Sequence, residues 1–293
     1  MNEKKLKKLV HHSRSSLAAD VFKRYVHNWA ADVGAVLLII ILIGILFADL
    51  IAPASMVTAY DSSARLSPPS AAHWFGTDNL GRDLFARVLH GSRISVGIGA
   101  GATLVSLIIS AMIASVCAMS KKADFLIMRV IDVINCVPAI LLAMMFLAIM
   151  GGSVFNMMVT LTIVSVPGFV LHIRSVILGV VEQDYIHAAR VSGSSPFKIV
   201  IKHVLPNAIN PIIVEATMMI SSMMLSAAGL SFIGIGVTPP SPEWGAMLNY
   251  AQGYLRTAPY MAIFPGLAIA LTALSINLVG DGLRDAFDPK TGR

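Results

Sequence analysis

Few side chains in this 293-residue chain could do chemistry. Glu215 stands early in a long apolar run, and a carboxylate at membrane depth is costly enough to mark a functional site. It admits two readings. Either it lies shallow and pairs with a lysine or arginine, or it lines a pathway, where Met219 and Ser222 would join it. Methionines fall in pairs: Met144-Met145, Met157-Met158, Met218-Met219 and Met223-Met224. Thioethers bind soft metals, but paired spacing fits adaptable packing or a flexible lining better. Of eight histidines only His11 and His12 are adjacent, and no H-E-x-x-H, G-x-S-x-G or G-x-x-x-x-G-K-[ST] occurs. The sequence therefore predicts no metal site, no serine hydrolase and no phosphate-loop ATP site. Cys117 and Cys136, both in apolar stretches without a C-x-x-C, read as buried thiols.

The elements that would position these groups are membrane spans. Hydrophobic residues make up 56% of the chain and charged residues 13%, about half the charge of a soluble domain. Apolar runs of about 20 residues predict six spans near residues 33–52, 94–118, 130–150, 154–171, 209–231 and 261–280. Pro138, Pro167 and Pro265 are expected to kink or end their helices, with a break at Pro265-Gly266 in the sixth. Gly97, Gly99 and Gly101 would let a neighbouring helix approach closely. Before the first span, residues 1–14 form a basic tail. Leu17, Val21, Tyr25 and Trp29 then share one helical face, read as an interfacial helix or as the start of the first span. A cleaved leader is not expected, because the apolar run starts about thirty residues in. Residues 53–93 are polar, and Gly81 to Arg93 reads as a second interfacial helix.

Six spans put both ends on one side. With the N-terminus inside, seventeen of the twenty-two lysines and arginines fall on inner segments and five outside, the asymmetry of a cytoplasmic face. The formal charge of +6 is read as this flanking pattern and not as a nucleic-acid surface.

One inner stretch is unusually polar: Glu182 to Pro211, EQDYIHAARVSGSSPFKIVIKHVLPNAINP. Asp184 and Tyr185 open a short helix whose middle is small, Ala188 and Ala189, followed by Arg190. Gly193 permits a turn with positive φ. Ser195-Pro196 reads as the cap and first-turn proline of a second helix from Phe197 to His203. Pro206 and Pro211 bracket the next apolar run. Two short helices with a sharp corner make a knob suited to a groove on another protein.

The order Ala188-Ala189-Arg190, Gly193, His203-Val204-Leu205-Pro206-Asn207 resembles the "EAA" coupling loop of membrane subunits of bacterial ABC importers, with histidine at the Glu and Ile positions. It is most similar to the C-type permease subunit of the peptide/nickel branch. Further blocks carry the likeness: Gly76-Thr77-Asp78-Asn79-Leu80-Gly81-Arg82-Asp83, Ala228-Gly229-Leu230-Ser231-Phe232-Ile233-Gly234, Pro242-Glu243-Trp244-Gly245 and Asn277-Leu278-Val279-Gly280-Asp281-Gly282-Leu283-Arg284-Asp285. Relatives more often carry an amide at the position of Glu215 and an acidic residue at that of Ser226, a departure that bears on the solute.

The resemblance implies an all-α polytopic membrane protein of the type I importer permease fold, with six transmembrane helices and an N-terminal interfacial helix. It implies residues 1–92 as N-terminal tail, interfacial helix, first span and extracytoplasmic loop, a five-helix permease core over 93–284 with a cytoplasmic coupling loop at 182–208, and a cytoplasmic tail over 285–293. It further implies half of a translocation pathway for di- or oligopeptides in a bacterial cytoplasmic membrane, both termini inside. The chain would be no enzyme and hold no cofactor, with ATP and magnesium on two ATPase subunits. Its other partners would be a B-type permease, an extracytoplasmic solute-binding protein and the lipid bilayer, with no nucleic acid. Asp184, Tyr185, Ala188, Ala189, Arg190, Gly193, Phe197 and Pro206 would meet the ATPase. Alternatives are import of nickel, a metallophore or glutathione, export on the same fold, and a stand-alone membrane enzyme or channel. The loop at 239–245 is read as a rigid support for a short helix, or as a contact for the binding protein.

Overall fold

The computed structural model describes residues 25–287 apart from His27. The basic tail, and Leu17 and Val21 of the predicted interfacial helix, lie outside the described residues. In chain order the main helices are α1 (Trp29–Leu46), α2 (Leu84–Met119), α3 (Lys121–Asn135), α4 (Ala139–Met150), α5 (Val154–Val181), α6 (Asp184–Val191), α7 (Pro196–Phe232), α8 (Trp244–Ala251) and α9 (Tyr260–Phe287). α1, α2, α5, α7 and α9 are each long and apolar enough to cross a membrane, and α3 with α4 makes a sixth candidate bent by 82°. α2 packs chiefly against α5 and α7, and α1 lies along α9.

Side-chain ties define the two ends of the bundle. At one end the last turns of α2 and α5, the start of α3, α6 and the first turns of α7 surround one cleft. Asn28 ahead of α1 donates to Asp285 near the end of α9 at 3.0 Å. Arg93 joins the last turn of α1 to the other end, donating to the Ile45 carbonyl at 2.7 Å. There Thr238 Oγ1, past α7, donates to the Gly152 carbonyl ahead of α5 at 2.9 Å. The first and last described segments thus share the end that holds the 182–195 loop.

Five expectations change. The third span is not one straight helix over 130–150. It breaks over Cys136-Val137-Pro138, because a proline disfavours the helical region in the residue before it, and Pro138 then caps α4. Cys117 is buried, but Cys136, at this break, is exposed. No separate interfacial helix covers 81–93. Asp83 caps α2 by accepting from the Ala86 N–H at 2.8 Å, so Arg87 and Arg93 belong to the first turns of a spanning helix. α9 runs unbroken through Pro265. The first span starts earlier and ends before Asp49, because Asn28 caps it through the Ala30 and Ala31 N–H groups and the chain turns at Phe47. Of the three glycines expected to admit a neighbour, a Cβ on Gly99 would sit 2.8 Å from the Ile220 carbonyl oxygen and one on Gly101 would meet Met158, whereas Gly97 faces open space.

The far end is pinned by buried charge. Arg82 Nε donates to Asp78 Oδ2 at 2.6 Å, and Arg87 Nε stands 3.6 Å from the same oxygen. Asp78 Oδ1 accepts from the Leu80 and Arg82 N–H groups, while Arg87 Nη1 reaches the Val57 carbonyl at 3.1 Å. Such charges survive burial only when paired and hydrogen-bonded. Glu243, fully buried, caps α8 through the Gly245 and Ala246 N–H groups and accepts from Ser95 Oγ of α2. Trp244 Nε1 donates to the Val88 carbonyl at 2.9 Å. The 239–245 loop is therefore a support for a short helix seated on α2 and α7, as the first of its two readings expected.

Candidate functional site

The polar loop folds as its residue types dictate. α5 ends at Val181, and α6 begins at Asp184, whose carboxylate sits in the first turn, with Arg190 in the last. Both placements suit the helix dipole. Ile186 is 0% exposed and joins the core around Ile177, Ile199 and Val204. Burying such a side chain stabilises by about 1.5–3 kcal/mol, so Ile186 pins an otherwise solvated helix. Gly193 has φ +79°. Its N–H donates to the Arg190 carbonyl at 3.0 Å, and the Ser194 N–H donates to the Ala189 carbonyl at 3.1 Å, the positive-φ ending that closes a helix C-terminus.

Ser195 Oγ then accepts from the Lys198 N–H, with Pro196 in the first turn of α7. The predicted second helix at 197–203 is not a separate element. It is the start of α7, joined to the spanning part by a π turn over Val200–Val204. Pro206 follows that turn, and a proline lacks the N–H that a regular helix would spend there. Asn207 Nδ2 donates to the His203 carbonyl at 2.6 Å beside it.

On the outside of this corner stand Tyr185, Val191, Phe197 and Ile201, with exposures of 44%, 91%, 62% and 50%. Ala188, Arg190 and Pro206 are exposed too, whereas Ala189 is partly buried against the core. Large apolar side chains left in water on a polar loop mark an interaction surface. Behind the corner, a cleft of about 880 Å³ is lined by Arg190 and Pro196 of the loop region, Phe125 and Arg129 of α3, and the pair Asp124–Arg174. Arg174 holds both carboxylate oxygens of Asp124.

The comparisons with known proteins fit this geometry. The family described as the binding-protein-dependent transport system inner membrane component matches residues 95–293. The N-terminal transmembrane domain of oligopeptide transport permease C matches residues 16–69. The chain is 39% identical over 272 residues to the dipeptide transport system permease protein DppC of Alkalihalophilus pseudofirmus, covering 92% of this chain and 89% of that protein. It is 41% identical over 273 residues to the glutathione transport system permease protein GsiD of Pectobacterium atrosepticum, covering 92% and 90%.

The chain belongs to this permease family. It is a C-type membrane subunit of the peptide branch of ABC importers.

Within the permease, the second set of expected residues lies on one face of α7. Asn207, Pro211, Glu215, Met218, Ser222, Ser226 and Gly229 recur every three or four residues, the spacing of one helical face. Pro211, Ser222, Ser226 and Gly229 are exposed, and Glu215 and Met218 are half-buried. Polar residues of a spanning helix avoid lipid and turn toward protein or a water-filled space. Met219, at the edge of this face, packs partly against the core. Glu215 does not pair as the first reading had it: its Oε1 stands 4.0 Å from His172 Nδ1 on α5, and among the described residues no lysine or arginine pairs with it. Of the paired methionines, Met157, Met223 and Met224 are buried in the core, whereas Met145 is exposed. Sequence reasoning missed Glu243, Ser95 and the Asp78–Arg82–Arg87 group as structural anchors. The only signal for them was the presence of charge in segments that the fold encloses.

Proposed function

We propose that this permease subunit imports short peptides by lending half of a translocation pathway, the α7 face, and by receiving the stroke of an ATPase at the 182–208 corner. The observation that carries the reading is that corner: a helix pinned by Ile186, turned at Gly193, and presenting Tyr185, Ala188, Val191 and Phe197 outward. Small Ala188 lets a partner surface approach, while the apolar side chains supply contact area. Asp184 and Arg190 stand at the two ends of α6 for charged contacts at the rim.

The corner is continuous with two spanning helices, α5 and α7, so a push on it moves both. ATP binding on two partner ATPases closes them and rocks this subunit against a second, B-type permease. The pathway then opens outward to a solute-binding protein, and hydrolysis resets it. ATP and magnesium sit on the ATPases. The lysine and arginine asymmetry supports a corner and both termini on the cytoplasmic side of a bacterial plasma membrane.

Dipeptides and glutathione, the cargoes of the relatives' systems, share free ammonium and carboxylate groups, so the solute class is a small peptide zwitterion. The test is reconstitution in liposomes with the partner permease, both ATPases and the binding protein. Uptake of a labelled dipeptide is expected only with ATP on the ATPase side and binding protein on the other. Uptake without ATP would overturn the reading.

A further inference from the structure

A second cavity, of about 490 Å³, opens between α5, α7 and α9 at the same end of the bundle as the corner. Its lining includes His172 and Ser175 of α5, Asn207, Asn210 and Glu215 of α7, and Arg284 of α9. The volume is that of a small-molecule site, and a carboxylate, a guanidinium and two carboxamides facing one space is a costly set in a membrane protein.

The charges do not satisfy one another. Glu215 has His172 at 4.0 Å, and Arg284 Nη2 donates to the Met218 sulfur at 3.0 Å. Met218 lies three residues beyond Glu215, so guanidinium and carboxylate stand about one helical turn apart along α7. No ion pair joins them among the described residues. A ligand with one positive and one negative end, separated by a few ångströms and joined by an amide, answers both charges. The carboxamides match its amide, and the planar guanidinium matches a carboxylate in bidentate fashion.

We propose that this cavity is a transit site for the two termini of a short peptide, with Glu215 taking the α-ammonium and Arg284 the α-carboxylate, an inference that rests on the peptide-import reading above. The site lies at the exit mouth, apart from the binding protein's own recognition of the solute, and holds cargo weakly as it leaves.

The assembled transporter, without binding protein, is labelled in lipid nanodiscs with the photoreactive dipeptide p-benzoylphenylalanyl-alanine. Labelling is expected on the segments holding His172 and Glu215. Unlabelled Ala-Ala should compete, and N-acetyl-Ala-Ala and Ala-Ala-amide should each compete about tenfold less well, the loss of one charged hydrogen-bond contact. Glu215→Gln should abolish the discrimination against the acetylated peptide alone, and Arg284→Gln that against the amide alone. Glu215→Asp and Arg284→Lys should keep both, and they carry the test where a neutral variant fails to assemble. Equal competition by the blocked peptides on the unaltered protein, or labelling elsewhere, would overturn the site. Binding-protein-dependent uptake of Ala-Ala in the same preparations separates the two claims. Uptake without labelling at the mouth sinks the transit site alone, and absence of ATP-driven uptake sinks the import reading.

Discussion

Arg174 on α5 grips Asp124 on α3 with both sides of its guanidinium, Nε to Oδ1 at 2.5 Å and Nη2 to Oδ2 at 2.6 Å. α3 is the arm that the break at Pro138 sets at 82° to α4, and this pair latches it to the helix leading into the 182–195 corner. Asp124→Ala is expected to destabilise the protein by about 2 kcal/mol, because it strips a partly buried guanidinium of its charged partner. A lowered unfolding temperature of the assembled complex checks this. The exchanged pair Asp124→Arg with Arg174→Asp should recover part of the loss.

Glu243 caps α8 and ties it to Ser95 while wholly enclosed. Glu243→Ala removes a cap and leaves two buried N–H groups without their acceptor, an expected cost of about 1–3 kcal/mol. Trp244→Ala beside it should cost about 3–5 kcal/mol through the cavity it opens. Thermal unfolding and the yield of assembled complex report both, and the second variant is expected to fall further.

Gly81 has φ +77° and lies against the Asp61 backbone, where an added Cβ would collide with the carbonyl oxygen. Gly81→Ala therefore meets strain and collision at once, for an expected loss of at least about 1–3 kcal/mol. The buried Asp78–Arg82 pair next to it should loosen. Faster proteolysis of the 60–83 segment in the variant is the measurement.

At the corner, Phe197 is exposed, so Phe197→Ala should leave unfolding unchanged to within about 0.5 kcal/mol, as surface substitutions do. Dipeptide uptake and its stimulation of ATP hydrolysis should fall at least about tenfold, equivalent to about 1.4 kcal/mol of lost contact. Gly193→Pro should fall further, since proline removes the N–H that meets Arg190 and excludes a positive φ. Ala189 packs partly on the core, so a bulky residue there would disturb the fold. Ala188→Trp blocks the exposed side alone.

The corner was the most legible part of the chain. Gly193, Ser195-Pro196 and the small pair Ala188-Ala189 between Asp184 and Arg190 are local signals, and local backbone chemistry settled them. Six apolar runs were legible for the same reason. The first turns of α2 were not: Gly81 to Arg93 is polar along the chain, and only partners thirty to nearly fifty residues away, the Val57 carbonyl for Arg87 and the Ile45 carbonyl for Arg93, draw those arginines into the bundle. The union of 197–203 with the fifth span was hidden by Pro206 and Pro211, which read as helix breaks, whereas a π turn and the Asn207 side chain accommodate the first of them. Glu215 was visible as an anomaly, but its neighbours His172 and Arg284 come from other helices, and no spacing rule along one chain predicts them.

The central claim is that an ATPase grips the exposed side of α6. Cysteine placed at Ala188, with Cys117 and Cys136 replaced by serine, can be cross-linked with a short bifunctional maleimide in membranes holding the whole transporter. The account predicts a single adduct with the ATPase subunit whose yield changes when ATP is bound. An adduct with the solute-binding protein, or labelling of residue 188 by an impermeant maleimide added outside intact cells, would contradict it.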